Sequence, residues 1–318
     1  MFLMTILLLA GLALVVFGAD WLVDGASSVA RRAGLSEFII GLTIVGMGTS
    51  APEMVVSVLG ALEGNGDIAV GNVVGSNIFN TLLILGLTAV ILPIGITATN
   101  RKRDIPVNIA VTLLLVLLGL ERTIFGVGTD GLSRLDGAVL LLLFVVYMFI
   151  SFRSGKDEKP EPDGQKSQKL WLSILMILCG LAALVIGGNL FVDNATGIAS
   201  ALGISDKFIA VTILAGGTSL PELATCVAAA AKKKGQLALG NIIGSNIFTI
   251  MLILGTSAVI APVSFQSINL IDMGALLVSA IALATSLVVG KKNQLDRLDG
   301  ALFLLLWAAY MAYLIINL

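Results

Sequence analysis

Long apolar stretches separated by short polar segments run through the whole of this sequence. Most are close to the roughly 20 residues that an α-helix needs to cross the hydrocarbon core of a bilayer. The pattern therefore predicts an all-α polytopic membrane protein with ten transmembrane helices. We place these helices at residues 3–24, 37–62, 67–92, 105–122, 133–152, 170–192, 206–231, 236–260, 268–289 and 296–317.

The longest polar segment, residues 153–169, divides the chain into two halves. It is rich in proline, glycine and charged residues, which is typical of a flexible linker. Five predicted helices fall in residues 1–152 and five in residues 170–318. Because five is odd, the second half must begin on the opposite side of the membrane from the first. We therefore expect two inverted five-helix repeats, an arrangement found in many secondary transporters.

A motif that occurs once in each half supports this duplication. The first copy, within residues 43–93, reads GMGTSAPE and then GNVVGSNIFN. The second copy, within residues 212–262, reads GGTSLPE and then GNIIGSNIFT. A constant shift of 169 positions aligns the two copies and places Glu53 on Glu222.

The distribution of basic residues predicts the orientation of the chain. Three of the 19 Lys and Arg residues fall on one side of the predicted topology, namely Arg122, Arg134 and Lys207, which leaves 16 on the other. Cytoplasmic loops carry an excess of Lys and Arg. We therefore place the linker in the cytoplasm and both termini outside the cell membrane. Only 12% of residues are charged. We expect the lipid bilayer to surround the protein, and we expect neither a nucleic-acid partner nor an obligate protein partner.

Each copy of the motif places a carboxylate inside apolar sequence. No Lys or Arg lies in the middle of any predicted helix, so Glu53 and Glu222 have no evident salt-bridge partner. An unpartnered carboxylate at that depth costs a few kcal/mol at least, so a bound cation or a proton must neutralise it. Two carboxylates together match the charge of one divalent cation.

Oxygen-bearing groups accompany each glutamate. A threonine lies four residues before it on the same predicted helical face, and a proline directly before it frees a backbone carbonyl oxygen. These neighbours are Thr49 and Pro52 in the first copy, and Thr218 and Pro221 in the second. An all-oxygen set of this kind suits hard cations such as Ca²⁺ or Na⁺.

The helices that follow carry further polar residues at helical spacing. Ser76 and Asn80 are four positions apart, as are Ser245 and Thr249, so each helix presents a two-residue polar face. Four asparagines could either hydrogen-bond between helices or bind the ion, and the sequence leaves both alternatives open. They are Asn72, Asn77, Asn241 and Asn246.

Other kinds of function have weaker support. The chain has no histidine, and Cys179 and Cys226 lie in apolar stretches where we expect buried thiols without a disulfide or metal role. Gly64–Asp67 matches a GxGD pattern of intramembrane aspartyl proteases, but it falls in a predicted loop without a second aspartate, so we do not expect an enzyme. A cation channel is a further alternative, which inverted repeats with proline-broken helices disfavour.

The two motifs resemble the α-repeats of the cation/calcium exchanger superfamily, and the whole chain is similar to prokaryotic sodium/calcium exchangers. The resemblance implies antiport of Na⁺ against Ca²⁺ by alternating access, with the first and sixth helices sliding across the other eight. It implies no cofactor apart from the transported ions. A Ca²⁺/H⁺ exchanger of the same fold is the alternative, although GTSAPE and GTSLPE resemble the sodium-coupled form.

The resemblance also implies a set of ligands. Glu53, Glu222, Thr49 and Thr218 would bind Ca²⁺. The sodium sites would use the same glutamates with Ser50, Ser219, Ser76, Ser245, Asn80 and the backbone carbonyls of Gly46 and Ala215. Thr249, on the polar face of its helix, stands where relatives often carry aspartate. The central site would therefore hold two carboxylates rather than three, which argues against potassium dependence.

Overall fold

The structure, a computed structural model, is almost entirely helical. It describes residues 1–126, 128–154, 168–204, 209, 213, 215–265, 270–288 and 293–317. Most of the predicted linker, and the first part of the helix predicted at 206–231, lie outside the described residues.

The described elements follow one another along the chain with short connections. In order they are α1 (Phe2–Ala33), α2 (Glu37–Thr49), α3 (Ala51–Leu62), α4 (Gly66–Ile91), β1 (Ile94–Gly95), α5 (Ile105–Gly119), α6 (Glu121–Phe125), β2 (Gly131–Leu132), α7 (Arg134–Ser154), α8 (Leu170–Ala201), α9 (Ala215–Gly217), α10 (Leu220–Ala231), α11 (Gly235–Ile260), β3 (Val263–Ser264), α12 (Leu270–Ser286), β4 (Gln294–Leu295) and α13 (Arg297–Ile316).

Among the described residues, six helices are long and apolar enough to cross a membrane: α1, α4, α7, α8, α11 and α13. The pair α2 and α3 passes the same test as one span that bends by 50° at Ser50. These helices confirm the predicted helical membrane protein. In its most apolar 18-residue window, α11 is 94% buried, against 22% for α1 and 11% for α13. The helix α11 therefore lies at the centre of the fold.

Two helices are longer than the apolar pattern predicts. The helix α1 continues to Ala33 instead of residue 24, and α8 continues to Ala201 instead of residue 192. Charged residues such as Asp24 suggested earlier ends, but a helix can continue beyond the apolar core when its polar residues find partners. The actual end of α1 is Gly34, which adopts a left-handed conformation with φ 64° and donates its amide hydrogen to Ala30 O.

Glycines allow α1 and α8 to pack closely as an antiparallel pair. A Cβ atom added at Gly18 would lie 2.8 Å from the carbonyl oxygen of Gly180. One added at Gly187 would lie 2.8 Å from the carbonyl oxygen of Gly11. Small residues at such positions let two membrane helices approach backbone to backbone. The α1–α8 pair therefore forms a closely packed unit beside the central helices.

Two short antiparallel ribbons join the two halves of the sequence. In one, β1 pairs with β4 and places Ile94 opposite Leu295. In the other, β2 pairs with β3 and places Leu132 opposite Val263. Each ribbon takes one strand from each half, so the halves are interleaved rather than side by side.

In the helices whose bounds are given above and directly before α5, four segments have π-helical rather than α-helical hydrogen bonding, which the apolar pattern does not predict. They are Gly41–Val45 in α2, Phe79–Ile84 in α4, Asn100–Asp104 directly before α5, and Phe248–Leu254 in α11. A π turn widens the helix locally and changes the direction of the side chains, and such turns are frequent at functional sites. The segments in α4 and α11 contain Asn80 and Thr249.

The adjacent glycines Gly187 and Gly188 provide a matched test of the α1–α8 contact. Gly187→Ala should lower the free energy of unfolding by about 1–3 kcal/mol, because its methyl group would overlap the α1 backbone. No described atom lies within 4 Å of a Cβ placed at Gly188. Gly188→Ala should therefore be neutral or stabilising by up to about 1 kcal/mol. Thermal unfolding in detergent measures both, and equal midpoints would contradict the packing described here.

Candidate cation-binding site

The break between α2 and α3 brings the first copy of the motif into the protein interior. Pro52 and Pro221 lie in the first turns of α3 and α10, where a helix does not need their missing amide hydrogens. Each glutamate follows its proline by one position and points inward. The Glu53 and Glu222 residues are each only 1% exposed.

Two serines connect the glutamates across the halves of the chain. Ser50 Oγ donates a hydrogen bond of 2.8 Å to Glu222 Oε1. Ser219 Oγ donates to Glu53 Oε1 at 3.4 Å. Each glutamate thus accepts from the serine that precedes the proline of the other copy, and the two carboxylates are close enough to repel each other electrostatically. The two copies of the motif therefore build one cluster.

Further hydroxyl groups surround this pair. Ser245 Oγ lies 3.5 Å from Glu222 Oε1 and 3.4 Å from the carbonyl oxygen of Gly46. Thr49 interacts with Glu222, and Thr218 interacts with Glu53. Of the predicted ligands, the structure therefore places the glutamates and the five hydroxyl residues Thr49, Thr218, Ser50, Ser219 and Ser245 together.

The two predicted carbonyl ligands differ in their surroundings. The carbonyl oxygen of Gly46 accepts a 3.1 Å hydrogen bond from Ser50 N within the last turn of α2. Ala215 begins the turn α9, which ends directly before Thr218. The carbonyl oxygen of Gly46 thus lies beside the cluster, and Ala215 occupies the equivalent place in the sequence of the second half.

The remaining predicted residues lie on α4 and α11. Ser76 Oγ donates to Val73 O in its own helix at 3.1 Å. Asn80 and Thr249 lie on the two π segments, where they hydrogen-bond to Asn246 and Asn77 respectively. In the part of the chain that the structure describes, none of the three predicted residues hydrogen-bonds to Glu53 or Glu222.

Four buried acceptor oxygens in this region have no hydrogen-bond partner among the described residues. They are Glu53 Oε2, Glu222 Oε2, Asn77 Oδ1 and Asn80 Oδ1. A buried polar atom without a partner costs about 1–3 kcal/mol, and more when it is charged. Carboxylate and amide oxygens are ligands that hard cations prefer. The site therefore has the chemistry to bind a cation such as Ca²⁺ or Na⁺.

Among the described residues, no basic side chain forms an ion pair with Glu53 or Glu222. Within the described ranges, the ion pairs join Arg103 to Asp104, Lys232 to Asp20 and Asp24, and Lys234 to Glu37. The same ranges contain no group of three or more His, Cys, Asp and Glu side chains that could hold a metal ion. The candidate ligands are thus two carboxylates supplemented by neutral oxygens, which does not favour a transition metal.

All four motif asparagines make hydrogen bonds between helices, which is one of the two roles that the sequence left open. Asn72 Nδ2 donates to Glu53 O at 3.2 Å, and Thr49 Oγ1 lies 3.2 Å from Asn241 Oδ1. The contacts of Asn77 and Asn246 with the other half were not predicted. Their recurrence next to Ser76 and Ser245 in both motif copies was the available signal.

A cavity of about 180 Å³ lies beside the cluster. Its walls come from α3, α8, α9 and α10, and it reaches Thr218, which interacts with Glu53. Asn189 and Asp193 of α8 also line it. The cavity therefore offers a partly polar path toward one side of the glutamate pair.

Comparisons with known proteins agree on one family. A family model described as sodium/calcium exchanger protein matches residues 3–153 and 172–316. The sodium/calcium exchanger MaX1 of Methanosarcina acetivorans is 31% identical over 97% of both chains. The inner membrane protein YrbG of Escherichia coli is 40% identical over 82% of this chain and 81% of its own.

A solved structure extends this agreement to the fold. The sodium-calcium exchanger NCX_Mj, from a crystal soaked with Na⁺, superposes with a TM-score of 0.84 at 34% identity and covers 98% of both chains. Other crystals of the same protein were soaked with Ca²⁺ or Sr²⁺.

Removing both buried charges should make the protein more stable when no cation is present. It should also abolish the stabilisation by Ca²⁺. In solution free of Na⁺ and Ca²⁺, the Glu53→Gln/Glu222→Gln variant should unfold at a higher temperature than the unmodified protein, because an unpartnered intramembrane carboxylate costs about 3 kcal/mol. Ca²⁺ at a hundredfold excess over its Kd should stabilise only the unmodified protein, by about 2.7 kcal/mol.

The exposed Glu121 supplies the control for this measurement, since Glu121→Gln removes one charge far less buried than the pair. That variant should respond to Ca²⁺ like the unmodified protein. An equal Ca²⁺-dependent rise of the unfolding midpoint in the double glutamine variant would contradict the candidate site.

Proposed function

The chain belongs to the sodium/calcium exchanger family, and we propose that it exchanges Na⁺ for Ca²⁺ across the membrane at a site built around Glu53 and Glu222. The observation that carries this proposal is the pair of buried glutamates, each bonded to a serine of the other half and each with one oxygen lacking a partner. The family consists of exchangers. The proposed cargo is Na⁺ and Ca²⁺, the ions that would neutralise Glu53 and Glu222.

The proposed architecture is ten transmembrane helices in two inverted repeats. The first repeat comprises residues 1–152 and the second residues 170–318, with 153–169 as a cytoplasmic linker and both termini outside the cell membrane. The pairing of β1 with β4 and of β2 with β3, each between halves, supports this twofold arrangement. The reciprocal bonds of the two serines to the two glutamates support it at the site itself.

The shared glutamates explain why two ions would exchange rather than travel together. Thr49 and Thr218 would complete the Ca²⁺ site, whereas Na⁺ would also use the neutral oxygens of Ser50, Ser219, Ser76, Ser245, Asn80, Thr249, Gly46 and Ala215. One Ca²⁺ neutralises two carboxylates, and so do Na⁺ ions bound in its place. Because both cargoes need the same carboxylates, they compete for the site.

The cost of the unneutralised pair couples the two fluxes. A carrier that changed its access without an ion would expose two repelling carboxylates to the apolar interior, which is unfavourable. A loaded site carries no such penalty, so the change of access takes place with Ca²⁺ or with Na⁺ bound. Efflux of one cargo therefore requires influx of the other.

Charge-neutral variants at the glutamates test this function. Glu53→Gln and Glu222→Gln should each reduce Ca²⁺ uptake into Na⁺-loaded proteoliposomes at least about a hundredfold, because an amide lacks the charge that holds the cation. Glu121→Gln is the control. Normal uptake in either site variant would contradict the proposed site.

The driving ion distinguishes the two exchanger hypotheses. Uptake should require a Na⁺ gradient and should not appear in Na⁺-free proteoliposomes with a pH gradient. Uptake driven by protons alone would instead support the Ca²⁺/H⁺ exchanger.

A difference between the repeats bears on the change of access. Lys232 at the end of α10 lies 2.5 Å from Asp20 Oδ1 and 2.7 Å from Asp24 Oδ1 of α1, and it also donates to Asp20 O at 3.2 Å. The shift of 169 positions puts Glu63 in the place of Lys232, and Asp193 in the place of Asp24. Two acids cannot form this ion pair.

Among the described residues, the ion pairs therefore tie α1 to α10 at one end of the membrane-spanning region. In the proposed orientation this is the cytoplasmic side, while the cavity beside Thr218 lies toward the outside. Sliding of α1 and α8 would have to break the bonds of Lys232 before the site opens to the cytoplasm. The structure thus fits a protein that favours outward access when unperturbed.

Replacement of Lys232 should shift this preference. Exposed ion pairs contribute up to about 1 kcal/mol, so Lys232→Gln should change the ratio of the two access states by about fivefold. The apparent Ca²⁺ affinity should fall at the outer face and rise at the cytoplasmic face, as measured in right-side-out and inside-out vesicles. Lys102→Gln, at an exposed cytoplasmic position, is the control. Unchanged affinities at both faces would contradict this role.

A further inference from the structure

Two asparagines, Asn77 in α4 and Asn246 in α11, lie at equivalent positions of the motif and are each 2% exposed. Asn77 Nδ2 donates to Val73 O at 2.8 Å and to Thr249 Oγ1 at 2.7 Å. A backbone carbonyl can only accept a hydrogen bond, so the contact with Val73 fixes which end of the Asn77 amide carries the nitrogen. The amide of Asn77 is therefore held in one orientation.

The hydroxyl group of Thr249 is fixed by both asparagines. It accepts from the Asn77 side chain, and it donates its own hydrogen to the backbone oxygen of Asn246 at 3.0 Å. A hydroxyl has one hydrogen and two lone pairs. One lone pair of Thr249 Oγ1 is thus not used by these two contacts, and the hydrogen of the hydroxyl is already donated.

Asn246 forms hydrogen bonds with Asn80 and with Thr81. Its Oδ1 accepts from Asn80 Nδ2 at 3.2 Å, and its Nδ2 donates to Thr81 Oγ1 at 3.0 Å. Because the nitrogen of Asn80 is occupied by Asn246, the oxygen of Asn80 points elsewhere. That oxygen is buried and has no partner among the described residues.

We propose that Asn77 and Asn246 are positioning residues that direct the oxygens of Thr249 and Asn80 toward Na⁺. The inference rests on the proposed function, because it concerns the sodium ligands of that site. Without Asn246, the Asn80 amide is free to rotate and to present its N–H groups, which repel a cation. Without Asn77, the Thr249 hydroxyl is no longer fixed from one side. Residues that orient a metal ligand typically change affinity by about 10–100-fold.

The test compares two transport modes of the same protein. Exchange of internal Na⁺ for external Ca²⁺ needs the sodium ligands. Exchange of ⁴⁵Ca²⁺ for unlabelled Ca²⁺ uses only the proposed calcium ligands, which are Glu53, Glu222, Thr49 and Thr218. Asn246→Leu and Asn77→Leu should each raise the Na⁺ concentration for half-maximal exchange about tenfold. Ca²⁺/Ca²⁺ exchange should keep its half-saturation, within about twofold, since its ligands are not positioned by these asparagines.

A more conservative variant tests the same contact with less risk of misfolding. Thr81→Val keeps the shape of the side chain and removes only the acceptor that holds the Asn246 amide. It should raise the half-saturating Na⁺ concentration about fivefold, the equivalent of one hydrogen bond. Asn108→Leu replaces a buried asparagine of α5 and is the control, for which both transport modes should be unchanged.

The possible results separate the inference from the proposed function. A parallel loss of both transport modes in Thr81→Val and the two leucine variants would show a structural role only and would overturn the inference. So would an unchanged dependence on Na⁺. If the unmodified protein takes up no Ca²⁺ in exchange for Na⁺, the exchanger proposal itself is wrong, and the assignment of Asn77 and Asn246 is overturned with it.

Discussion

The burial of two carboxylates without a basic partner is the constraint on which the rest of this structure depends. Glu53 and Glu222 are almost completely buried and close enough to repel each other, and buried charges are screened much less than exposed ones. Hydroxyl groups from both halves surround them, yet one oxygen of each carboxylate has no partner in the described chain. In the proposed function, bound cations remove the cost of these two charges. The same cost would then favour binding of the cations that we propose as cargo.

The two halves solve this problem together, and the places where they differ suggest how the protein is directional. Reciprocal serine contacts with the glutamates preserve the twofold relation. Asn80 and Thr249 break it within the site, and Lys232 and Glu63 break it at the helix ends. A perfectly symmetric carrier would treat both faces of the membrane alike. Differences of this kind would make access from one face of the membrane, or binding of one of the two ions, more favourable than the other.

The sequence was sufficient to predict the helical membrane protein and the family, because apolar length and a repeated motif are local properties. The position of Glu53 in the interior followed from the apolar sequence around it. The π segments around Asn80 and Thr249 could not be predicted, since they depend on packing between α4 and α11 rather than on local periodicity. The contact of Asp20 in α1 with Lys232, more than 200 positions away, could not be predicted either, because it depends on how the two halves pack.

The central claim is that the two motif copies form one shared site, and the number of bound Ca²⁺ ions tests it most directly. Isothermal titration of the purified protein in Na⁺-free detergent solution counts these ions. We expect one Ca²⁺ per chain, and none for Glu53→Gln or for Glu222→Gln. Two Ca²⁺ per chain, with one retained in each variant, would show two independent sites and would contradict this account.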